Sequence, residues 1–89
     1  MMNRQEVIEA ALDCITNDRA DQYGDAKENF DNIARLWRAY LKIDISDFEV
    51  IMLMILLKVA RTKSSQGHSD NYVDIIGYAA LASELAAAK

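Results

Sequence analysis

The chain has no proline, only three glycines, one cysteine and one histidine. Without proline nothing forces a break inside a helix, and Gly24, Gly67 and Gly77 leave long stretches unpunctuated. Cys14 has no second cysteine to pair with, and Cys14 and His68 together fall short of the four ligands of a structural zinc site. Strand-like alternation is missing throughout. The net charge is −4, and no lysine- and arginine-rich tract is large enough to follow a nucleic-acid backbone. The apolar run from Val50 to Leu57 is far shorter than the roughly 20 residues needed to span a bilayer. The N-terminal stretch is polar and lacks the apolar region of a secretion signal. These absences set aside disulfide scaffolds, zinc modules, DNA or RNA tracts and membrane insertion, and they indicate a cytoplasmic protein.

What is present is helical periodicity, so the expected class is all-α. At 89 residues the chain is read as a single domain, 1–89. A domain this small buries a limited core, and 52% hydrophobic residues with no disulfide favour a homo-oligomeric helical bundle. The first helix is expected to start at Asn3 as N-cap, with Val7, Ile8, Ala11, Leu12 and Ile15 as its buried stripe. Thr16 to Ala26 is polar and breaks that pattern, with Gly24 as a helix stop. Asp25-Ala-Lys-Glu28 reads as a capping box for a second helix reaching Leu41, with Phe30, Ile33, Ala34, Trp37 and Leu41 inward. Ser46-Asp-Phe-Glu49 is a second capping box, opening a third helix that runs to Lys63. That helix is apolar on nearly every side, which predicts burial on nearly every side and a seam with a second copy. Ser69 is expected to cap a fourth helix, slim with alanine and Gly77, ending near Ala88.

The chemistry-bearing residues gather around the polar turn between the third and fourth helices. Lys58 and Arg61 follow the apolar run directly, and Asp70, Asn71 and Asp74 open the next helix. Lys58 at that position needs a carboxylate or a bound phosphate as partner, and Arg61 suits bidentate phosphate contact. Asp70 and Asp74, four apart, share a helix face and are suited to a hard cation such as Mg²⁺. The plainer reading has Asp70 capping the helix and Asp74 pairing with Lys58 or Arg61, and spacing alone favours it. Glu28 and Asp31 form a second acidic pair, which matters only if their helix faces Asp70 and Asp74. Tyr23, Trp37, Tyr72 and Tyr78 are candidates for stacking on a base, and equally for ordinary packing. No phosphate-binding glycine loop, nucleophile elbow or His/Cys pair is present.

Two stretches carry a resemblance: Arg19-x-x-x-Tyr23-Gly24 followed by Asn29-Phe30 and Trp37, and Lys58-x-x-Arg61 followed by Asp70-Asn71-x-x-Asp74-x-x-Gly77-Tyr78. Over residues 16–85 the chain resembles a family of short helical proteins of unknown function common in phages and prophages. That family in turn looks like a reduced relative of the all-α, MazG-like nucleoside triphosphate pyrophosphohydrolases. Those are helical oligomers that hold Mg²⁺ with an E-x-x-E pair and a later E-x-x-D pair. The resemblance implies that Glu28, Asp31, Asp70 and Asp74 stand at the metal positions and that Lys58 and Arg61 meet phosphate. Glu28-x-x-Asp31 has a shorter second arm than the family pair, Asp70-x-x-x-Asp74 is one residue longer, and the dense glutamate run is missing.

Together these features predict a homo-oligomeric phage-type protein, in the host cytoplasm, that binds a phosphorylated or cyclic nucleotide and sequesters a host defence signal. Arg19, Tyr23, Lys58, Arg61, Asp70, Asn71, Asp74 and Tyr78 would form the pocket. The alternatives are Mg²⁺-dependent pyrophosphohydrolysis and a ligand-free protein–protein inhibitor module.

Overall fold

The structure is a computed structural model that describes residues 2–16 and 26–87. Among the described residues there are four helices and no strand: α1 (Arg4–Thr16), α2 (Ala26–Leu41), α3 (Asp47–Thr62) and α4 (Ser69–Ala87). The all-α expectation holds. The proposed loop around Gly24 and the Asp25 cap lie outside the described residues.

Helix ends follow the capping chemistry of the sequence. Asn3 Oδ1 accepts the Glu6 N–H at 2.8 Å, and Glu6 Oε1 accepts the Asn3 N–H at 3.0 Å. Ser46 and Glu49 exchange the same reciprocal pair, each bond 3.1 Å long, so α3 opens on a complete capping box. Ser69 departs from expectation: it is the first residue of α4 rather than its cap. The carbonyl of His68 accepts the Asn71 N–H instead, at 3.2 Å. The turn leading in is tied by the Tyr72 hydroxyl, which donates to the Gln66 carbonyl at 2.6 Å.

After α2 the chain turns through Lys42, whose φ of 57° lies in the left-handed region that usually takes glycine. The Lys42 N–H still reaches the Arg38 carbonyl at 2.9 Å. The Arg38 guanidinium donates in turn to the Ile45 carbonyl at 2.7 Å, fastening the connection to α3. Arg38 is therefore a strut for the α2–α3 link as well as a cation at a helix C-terminus.

The core lies where α2, α3 and α4 meet. Phe30 and Ala34 come from α2, Ile45 from the connection, Val50 and Ile51 from α3, and Leu81 and Ala82 from α4. Ile51 and Val50 are wholly enclosed, each contributing roughly 1.5–3 kcal/mol by burial. Tyr78 of α4 meets Phe30 of α2 edge to face, with ring centroids 5.7 Å apart. Ile15 at the end of α1 packs against the same core. It sits at the one place where α4 has no side chain: a Cβ on Gly77 would lie 3.2 Å from Ile15 Cγ2. Glycine there lets α1 approach α4 closely.

Burial is less complete than the apolar pattern of α3 predicts. Val50 and Ile51 are enclosed, but Met52, Leu53, Leu56, Leu57 and Val59 are exposed. A single copy of this domain covers one face of α3 and leaves the opposite one open. On α2, Leu36, Trp37, Tyr40 and Leu41 line a shallow apolar hollow.

Candidate functional site

The α3–α4 hairpin brings Lys58 and Asp74 into contact. Lys58 Nζ lies 2.8 Å from Asp74 Oδ2, with side chains only 14% and 10% exposed. Helical spacing accounts for this. Lys58 lies on the same face of α3 as Ile51 and Ile55, so it points towards α4 rather than towards water. Asp74 is one turn beyond Asn71, which is itself 3% exposed, so α4 presents two polar side chains inward near its start. Among the described residues no buried side-chain nitrogen or oxygen lacks a hydrogen-bond partner.

Around this pair the other predicted residues are more open. Arg61, one turn past Lys58, is exposed, and its guanidinium has no ion pair among the described residues. Asp70 is exposed, its Oδ2 3.7 Å from His68 Nε2. Tyr78 is half-buried with its ring against Phe30, so it serves the core. Tyr72 holds the interhelical turn through its hydroxyl. Arg19 and Tyr23 lie outside the described residues.

Among the described residues the acidic side chains do not assemble into a cluster. Asp31 Oδ2 sits 3.1 Å from Arg35 on its own helix, in an exposed pair of the kind worth little. Glu28 is exposed, Asp74 is engaged by Lys58, and Asp70 faces His68. Among the described residues no three His, Cys, Asp or Glu side chains come together in a group able to hold a metal ion. The contact between α2 and α4 runs instead through Phe30 and Tyr78 and through a 3.6 Å pair between Lys27 and Glu84.

Two features were not foreseen from the sequence. The hollow of Leu36, Trp37, Tyr40 and Leu41 includes Trp37, one of the four aromatics that could stack on a base, but none of the residues of the pocket expected around Lys58. Its signal in the sequence was Leu36 and Tyr40, which lie off the buried stripe of α2. The Arg38–Ile45 bond had no signal, because a carbonyl acceptor does not show in side-chain spacing. Among the described residues no helix is long and apolar enough to cross a membrane.

The chain is similar to the Gene 55 protein of Mycobacterium phage D29, with 43% identity over 75 residues, covering 84% of this chain and 50% of the relative. It is likewise 43% identical over 76 residues to the Gene 55 protein of Mycobacterium phage L5, covering 84% of this chain and 49% of the relative. It thus spans about half the length of these relatives. No solved structure matches it. Residues 6–86 match the family described as Domain of unknown function (DUF6378), and the chain belongs to that family, one with phage members.

Proposed function

We propose that the corner built by Lys58, Arg61, Asp70, Asn71 and Asp74 binds a phosphorylated or cyclic nucleotide. The observation that carries this reading is the nearly buried Lys58–Asp74 pair. Holding two ions away from water costs several kcal/mol in desolvation, and an apolar pair of similar volume would serve packing as well or better. An ion pair kept at such a cost suits a site where charge is needed. A phosphate arriving at the corner offers Lys58 a second anionic partner, while the exposed Arg61 meets it bidentately. In this reading Asp70, Asn71 and Asp74 would hydrogen-bond ribose or base. In a family with phage members, such a binder would act in the host cytoplasm by withdrawing a nucleotide signal used in defence.

The hydrolytic alternative requires Glu28, Asp31, Asp70 and Asp74 to share Mg²⁺. It has less support, because Asp31 and Asp74 are already held by Arg35 and Lys58. The test is thermal stability against nucleoside triphosphates, cyclic mono- and dinucleotides and ADP-ribose derivatives, with and without Mg²⁺. A ligand present at a hundredfold over its Kd should stabilise the fold by about 2.7 kcal/mol. Arg61→Ala should remove that gain while leaving the unliganded protein as stable as before. Release of monophosphate and pyrophosphate would favour the hydrolase. A flat response across the panel would reject nucleotide binding and leave a protein–protein module.

A further inference from the structure

The open face of α3 has an order that scattered surface leucines lack. Glu49, Met52, Leu53, Leu56, Ala60 and Lys63 recur at spacings of three and four, so they form one stripe opposite the buried Val50 and Ile51. Lys63 closes the helix in right-handed helical conformation, with φ −58° and ψ −41°, so it continues the stripe. Met52, Leu53 and Leu56 are 40%, 43% and 61% exposed. The stripe is acidic at its start, apolar along its middle and basic at its end.

We infer that this stripe is a seam on which a second copy of the chain docks, with the two α3 helices antiparallel about a two-fold axis at Leu56. In that arrangement Leu56 meets Leu56 and the larger Met52 meets the smaller Ala60. Glu49 meets Lys63 at both ends. The stripe is thus complementary to itself in size and in charge, as an isologous interface requires. The pairing of opposite charges also matters because each copy carries a net charge of −4, which opposes approach elsewhere on the surface. A parallel pairing would set Glu49 against Glu49 and Lys63 against Lys63.

Light scattering coupled to size-exclusion chromatography tests the inference on the whole chain. The protein should have twice the 10.0 kDa chain mass. Leu56→Glu should return it to one chain mass with its helical circular dichroism intact. Disulfide trapping in a Cys14→Ser background sets the direction independently of that variant. Met52→Cys mixed with Ala60→Cys should give a cross-linked heterodimer, while neither alone should cross-link. Those positions lie about 12 Å apart along a helix, beyond the reach of a disulfide. A wild-type monomer would overturn the inference and leave the stripe to a different protein. A dimer that survives Leu56→Glu, or one that cross-links Met52→Cys to itself, would overturn it as well.

Discussion

Lys58 illustrates how far a single residue can be read before its surroundings are known. Its place after Leu57 at the end of an apolar run calls for a partner, and spacing alone offered Asp74. The structure supplies that partner at 2.8 Å. Whether the pair also serves a ligand is not written in spacing, because a salt-bridged hairpin and a phosphate site need the same residue types. The energetic consequence is specific. Asp74→Leu strands the Lys58 ammonium in a setting only 14% exposed, and should cost about 3 kcal/mol in urea unfolding. Adding Lys58→Met should recover a substantial part of that loss, since the ammonium is then no longer stranded. A double variant as unstable as the single one would mean that Asp74 supports the fold by another route. Tyr78 shows the opposite limit. An aromatic one turn past Asp74 fits a binding wall and a core position equally well, and the edge-on contact with Phe30 shows that its ring also packs on the core.

Among the elements, helix starts were the most legible features. The cap at Asn3 and the capping box at Ser46 are local, needing only a short polar side chain and, at Ser46, a glutamate three residues on. The start of α4 lies one residue earlier than expected, at Ser69 itself, with the Asn71 N–H bonded to the His68 carbonyl. The end of α2 gave no sign of the left-handed turn at Lys42, since lysine carries no preference for positive φ. Lys42→Gly relieves that backbone and should stabilise the protein by about 1 kcal/mol. An unchanged thermal midpoint would show that the relief is cancelled by the greater freedom of glycine in the unfolded chain. For α3, an apolar surface on every side predicts burial all round, but the described helices cover only one side of it.

At the scale of the molecule, the all-α class followed from period alone, whereas the order of the open α3 stripe shows only once the exposed side chains are known. The proposed seam has one protomer meeting another along α3. If folding is completed by that meeting, the thermal midpoint should rise with protein concentration, while that of Leu56→Glu should stay constant. A wild-type midpoint independent of concentration would instead describe a self-sufficient monomer. The single tryptophan makes such measurements direct. Trp37 packs against the core from α2 and borders the apolar hollow, so its indole senses both the interior and that surface. Its fluorescence therefore has one origin in the chain, an optical reporter of unfolding or occupancy that needs no added dye.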